Sequence, residues 1–199
     1  MKYRIIDYLS IGIPAVLLVW GVLALLGQRK PGRLALAGVF ALYLCAVFDV
    51  VGIPGLGSFR WSPAVNLIPF GDEKTARFFF QLGMNAAMFL PFGFLLPVLC
   101  RSCRSWWAAT LAGLLLSGTI EFLQLFSFRA TDVDDLLMNT LGAYLGYLLA
   151  WLLLRRSWLR PRRDSRSQEA LLLGVTLLVP LLTAVLLAPT IRDLVYQLY

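Results

Sequence analysis

Six long apolar stretches dominate what this chain can fold into: approximately 8–27, 33–51, 78–99, 106–127, 135–154 and 170–188. Each approaches the about 20 residues that a helix needs to cross a hydrocarbon layer of roughly 30 Å. With 59% hydrophobic and only 15% charged residues, the chain cannot build the polar coat of a water-soluble domain. The expected fold is all-α, a polytopic membrane helical bundle of six transmembrane helices, with residues 1–199 forming a single integral membrane domain. Lys2 and Arg4 precede the first stretch as in a secretory signal. Its apolar run is too long for one and lacks an A-x-A cleavage pattern, so it reads as a retained helix.

A net charge of +7 would suggest nucleic acid in a soluble protein. Here the arginines gather in loops, where they set orientation and meet anionic headgroups, so membrane lipids are the expected partners and nucleic acid is not. The run 155–168, "RRSWLRPRRDSRSQ", has six Arg against one Asp. Loops 28–33, 100–105 and 155–168 together hold 11 Lys and Arg, against 7 on the opposite side of a six-span arrangement. This count makes loop 155–168 cytoplasmic and loops 52–77 and 128–134 extracytoplasmic.

The chain has no His, which removes Ser-His-Asp and Cys-His catalysis and His-based metal sites. Cys100 and Cys103 form C-x-x-C, but zinc commonly takes four ligands and the remaining cysteine is Cys45, so the pair reads as free thiols in a reducing compartment and no metal site is expected. Chemistry would fall to carboxylates, amides, Arg, hydroxyls or backbone.

Such groups concentrate in "EFLQLFSFRATDVDDLLMNTLGAYLG", residues 121–146. Ser117, Glu121, Gln124 and Phe128 step by four, three and four, as do Asp135, Asn139, Gly142 and Gly146, so each set lies along one helix face. The G-x-x-x-G of the second set suits close helix approach. The third span, "NAAMFLPFGFLLP" (85–97), adds Asn85, and Pro91 is expected to kink it. At 1.5 Å per residue, Asn85, Glu121 and Asn139 lie roughly 10, 9 and 7 Å below the outer boundary, placed to converge in a pocket open outward. Loop 52–77 contains "NLIPF" (66–70), is rich in apolar residues, and is expected to dip into the headgroup region and cover that pocket, with Trp61 as an interfacial anchor.

Structural readings stand beside the functional ones. Asn85, Gln124 and Asn139 can serve as hydrogen-bond bridges between helices. Asp132, Asp134 and Asp135 can be solvated loop charges, with Asp132 or Asp134 capping the fifth helix. Glu121, an ionisable group inside a span, is costly to keep there, and function is its default reading.

In their order along successive spans, "NLIPF", "NAAMFLPFGFLLP" and "EFLQLFSFRATDVDDLLMNTLGAYLG" resemble the VanZ-like family of bacterial membrane proteins over about 35–155. The extra C-terminal helix at about 170–188 lies outside the resemblance. The resemblance implies a bacterial cytoplasmic-membrane location and, for the family's namesake, resistance to the glycopeptide teicoplanin by a route that does not remake peptidoglycan termini. Asn66, Pro69, Phe70, Asn85, Pro91, Gly93, Glu121, Gln124, Asp132, Asp135, Asn139 and Gly142 match its pattern.

Two functions follow as expectations. In the first, Asn66, Phe70, Asn85, Gln124, Asp132, Asp135 and Asn139, with Glu121, bind an amphipathic molecule at the outer face: a lipid-linked cell-wall precursor or the lipoglycopeptide antibiotic. No cofactor is expected. In the second, the chain is an intramembrane enzyme on a lipid or lipid-phosphate substrate, with Glu121 as catalytic acid or base and Mg²⁺ held by Asp132, Asp134 and Asp135. A transporter ranks third, since no inverted repeat is visible.

Overall fold

The computed structural model describes residues 2–61, 64–71, 75–127, 130–154 and 165–190. Its helices are α1 (Lys2–Leu25), α2 (Pro31–Val51), α3 (Ala76–Leu99), α4 (Trp106–Gln124), α5 (Val133–Leu154) and α6 (Arg166–Leu182). Two short strands, β1 (Val65–Asn66) and β2 (Thr131–Asp132), pair in parallel. Six helices are long and apolar enough to cross a membrane, so the fold is all-α and polytopic as the hydropathy requires. Residues 155–164 of the basic run, together with Phe128 and Arg129, lie outside the described residues.

The helices fall into two compact units. The first holds α1, α2 and the chain from Ala170 onward. Pro31 opens α2, where its missing N–H costs no hydrogen bond. Gly52 closes it in the left-handed conformation and returns its N–H to Phe48 O at 3.1 Å. Tyr8 Oη donates to Leu42 O and Trp20 Nε1 to Leu34 O, both at 2.7 Å, joining α1 to α2. Around these bonds Val19, Leu23, Phe40, Leu44 and Phe48 are buried. Past Leu182, α6 widens into a π-turn over Thr183–Leu187.

The second unit, Trp61–Glu169, holds α3, α4, α5 and both strands. Thr75 caps α3, its Oγ1 accepting the Phe78 N–H at 3.2 Å. α3 runs unbroken through Pro91 and Pro97. At its far end the turn Arg101–Cys103 leads into α4, and Glu169 ties this turn down: Oε2 accepts the Ser102 N–H at 3.0 Å and the main-chain carbonyl accepts Cys100 Sγ at 3.4 Å. Cys45, Cys100 and Cys103 are free and buried. Burial pushes the Cys103 thiol above its ordinary range, opposed by a Ser102 hydrogen bond and reinforced by the Glu169 charge. A thiol so held is a poor nucleophile.

Glycine sets the packing of the second unit. A Cβ on Gly142 would collide with the Ala86 carbonyl, one on Gly146 with the Leu90 carbonyl, and one on Gly93 with the Ala143 carbonyl. α3 and α5 therefore run side by side in backbone contact, in the same direction, with Gly113 of α4 meeting the Ala143 methyl. Outward faces remain apolar, with Phe80, Leu115, Phe122 and Leu152 exposed as lipid-facing residues are.

Candidate functional site

The backbone contacts fix the register in which polar residues meet. On α4, Gly113, Ser117 and Glu121 follow one another at single turns, and on the oppositely directed α5 Ala143, Asn139 and Asp135 do the same in reverse. Gly113 meets Ala143, and one turn on Asn139 Nδ2 donates to Ser117 Oγ at 2.9 Å. Both partners are buried, and Asn139 Oδ1, also buried, accepts no hydrogen bond among the described residues.

One turn further lies the level of the carboxylates. Glu121, only 6% exposed, accepts the Asp132 N–H on Oε2 at 3.0 Å, while its main-chain carbonyl accepts Thr131 Oγ1 at 3.0 Å. One residue thus fastens both residues of β2. Asp132 sits just before α5 and its Oδ1 accepts the Asp134 N–H at 2.9 Å, which makes it the N-cap of that helix. The acidic first turn of α5 is favoured by the helix dipole.

The segment before α3 closes over this end. Thr131 N–H donates to Ala64 O at 2.8 Å, and β1 aligns Val65 with Thr131 and Asn66 with Asp132. Asn66 Nδ2 donates to Asp132 Oδ2 at 3.3 Å and Asn66 Oδ1 accepts the Ile68 N–H at 3.2 Å. Phe70 N–H lies 2.9 and 3.1 Å from the two carboxylate oxygens of Asp134. On α3, Asn85 Nδ2 donates to Asp135 Oδ1. Trp61 packs on Phe126 with ring centroids 5.4 Å apart.

Beside Asp132, Asp134 and Asp135 a cavity of about 30 Å³ opens, with Phe78, Gln81 and Leu82 on its other walls. That is room for about one water or one small donor group. Among the described residues no group of three or more His, Cys, Asp or Glu is arranged to hold a metal ion. Each of the three aspartates instead accepts a protein N–H.

Comparison with known proteins bears on the same region: the VanZ/LLP1 family pattern matches residues 39–155, more than half of the chain. This chain belongs to the VanZ/LLP1 family. Protein VanZ of Enterococcus faecium is 32% identical over 124 residues, covering 59% of this chain and 74% of that protein. No solved structure matches the chain. The VanZ/LLP1 match contains every residue of the carboxylate cluster, whereas α1 and α6 lie outside it.

Of the residues the sequence singles out in this VanZ/LLP1 protein, Asn66, Asn85, Glu121, Asp132 and Asp135 all make hydrogen bonds at the cluster end of α3, α4 and α5. Gln124 is buried on the same face of α4, its carbonyl accepting Ser127 Oγ at 3.0 Å. Asn139 sits one turn deeper and bonds to Ser117, apart from the carboxylates. Phe70 contributes its backbone N–H, while its ring is exposed. Asp134, which the sequence offers as a helix cap or a Mg²⁺ carboxylate but leaves out of the ligand-binding set, is only 2% exposed and holds Phe70. Its position before an apolar face and after another Asp is the signal that marks it, shared with any helix cap.

Proposed function

We propose that this VanZ/LLP1 protein acts in the bacterial cell envelope by meeting an amphipathic ligand at the carboxylate end of α3, α4 and α5, and that it contributes in this way to teicoplanin resistance. The ligand class is an apolar chain joined to a hydrogen-bonding head, as in a lipid-linked wall precursor or the lipoglycopeptide itself. One observation carries the reading. Phe70 joins an apolar surface to a polar one: Leu67 and Ile68 beside it are 73% and 69% exposed, and its N–H is held by buried Asp134. Exposed apolar side chains suit acyl chain and interface, while the aspartates beneath favour ammonium, amide or hydroxyl donors.

The small cavity sets a further limit. It admits a single donor group, so the head of the ligand rests over the cluster with one group inserted. The reading puts this end on the outer face, supported by the excess of Lys and Arg in the alternate loops. Family membership and the likeness to Protein VanZ support the link to teicoplanin.

The test is expression in a teicoplanin-sensitive Gram-positive host, paired with binding of radiolabelled teicoplanin and of lipid-linked precursor to purified protein. Protection and binding of one of the two should both fall in Asn66→Leu and Asp135→Asn at unchanged expression. Protection by the native chain with no binding of either ligand would sink the ligand reading.

A further inference from the structure

Residues 67–71 reach the carboxylate end of the second unit through a single tether. All five are exposed, and the Gly71 N–H turns back onto Ile68 O at 3.2 Å. β1 pins the chain up to Asn66, and the Thr75 cap fixes it again at the start of α3. Between those points, among the described residues, the hydrogen bond that ties the segment to a helix runs from the Phe70 N–H to Asp134.

The tether is strained at one end and has spare capacity at the other. Phe70 has φ of 54°, and for a residue with a Cβ this left-handed conformation favours release by about five- to thirty-fold. Asp134 is buried, yet its two oxygens share that one N–H at 2.9 and 3.1 Å, although a carboxylate can accept several donors. The same side chain walls the cavity of about 30 Å³, where one small donor group fits. A donor entering there competes with Phe70 for the same acceptor. Strained residues of this kind cluster at ligand clamps and switch regions.

We propose that residues 67–71 form a latch released by donor exchange: an N–H or O–H group of the ligand bonds to Asp134 in place of the Phe70 amide, and the segment swings away. The latch presupposes the ligand site proposed above and adds how that site opens. One hydrogen bond to the carboxylate replaces another, the strain at Phe70 is relieved, and the freed amide meets solvent because Phe70 is exposed. A head without N–H or O–H groups has nothing to put in the place of the amide. The latch therefore selects for donors rather than for charge.

Hydrogen exchange of the full chain in detergent tests the latch with two probes of equal charge: dodecylammonium, which carries N–H donors, and dodecyltrimethylammonium, which carries none. Dodecylammonium should speed exchange at residues 68–71 by about five-fold or more, the bias set by the strain, at concentrations where dodecyltrimethylammonium leaves it unchanged. The middle of α5 should stay protected with both. Slower or unchanged exchange with dodecylammonium, or equal acceleration by both probes, would overturn the latch. Neither outcome touches the ligand reading, which stands or falls with the binding of teicoplanin and of lipid-linked precursor. Strain is read without any probe by comparing Phe70→Ala with Phe70→Gly, which lose the same ring and differ in tolerance of the left-handed region. Exchange at residues 68–71 should be about five-fold faster in the Ala variant. Equal rates in the two would show that no strain drives release, and would reject the latch as well.

Discussion

Phe70 and Asp134 hold each other across 64 residues of sequence, the amide of one lying 2.9 and 3.1 Å from the two carboxylate oxygens of the other. Phe70 has φ of 54°, in the left-handed region that bulky side chains avoid. The carboxylate holds the strained residue, and the strained residue aims the exposed loop.

Asp134→Ala should therefore lower thermal stability in detergent by an amount equivalent to about 1.5–3 kcal/mol, the usual worth of a hydrogen bond to a charged group. Hydrogen exchange should rise at residues 65–71 and stay unchanged in the middle of α5. Phe70→Gly removes the strain and the ring together, so it should preserve protection at 65–71 while reducing ligand binding. Equal protection in native protein and Asp134→Ala would separate the loop from this carboxylate.

Gly142→Ala should cost the second unit its monodisperse behaviour, because the new methyl would meet the Ala86 carbonyl with no soft side chain to yield. Gly118→Ala meets nothing within 4 Å and should be neutral or stabilising by up to about 1 kcal/mol through helix propensity. Size-exclusion chromatography and thermal melts of the two variants distinguish a packing glycine from an incidental one.

Glu121→Gln keeps an oxygen able to accept the Asp132 N–H, so the fold should persist with little change in melting temperature. Protection against teicoplanin should nevertheless be lost if the charge or proton of Glu121 is used. Glu121→Asp, one methylene shorter, should retain part of the protection while loosening β2. Full protection in a well-expressed Gln variant would leave Glu121 as the fastener of Thr131 and Asp132 and nothing more.

Orientation can be read with single cysteines in a Cys-free background. A cysteine at Ser58 should react with a membrane-impermeant maleimide in intact cells, and one at Ser165 should resist it until the membrane is opened. The native thiols should label slowly when the folded protein is exposed at neutral pH, because all three are buried. The reverse pattern at Ser58 and Ser165 would turn the carboxylate end inward.

The helices were legible because each depends on its own residues. The apolar stretch at 106–127 becomes Trp106–Gln124, and the spacing of Ser117, Glu121 and Gln124 anticipates their shared burial. G-x-x-x-G in α5 likewise announces a close neighbour, which proves to be α3. What stayed hidden depends on residues far apart in sequence. A two-residue strand has no period to detect, so the alignment of Val65 with Thr131 leaves no local trace. Asp132 can be read as a cap from its place before α5, but the burial of Asp134 follows only from the loop that lies over it. The expected convergence of Asn85, Glu121 and Asn139 resolves into three pairings, with Asp135, Asp132 and Ser117, because each polar group takes the nearest complement.

The pairing of Asn66 with Asp132 also fixes an order of events during synthesis, since 66 residues separate the two. At about 5–20 residues per second, the segment bearing Leu67 and Ile68 leaves the ribosome several seconds before its partner strand exists. Through that interval α3 and α4 can insert, but the segment has no strand to pair with and no carboxylate to hold Phe70. Arrival of Thr131–Asp134 ends the wait. The polar contacts that close the carboxylate end of this unit therefore cannot form before α5 begins to emerge, and an interruption of translation between α4 and α5 leaves inserted helices with an unfinished surface.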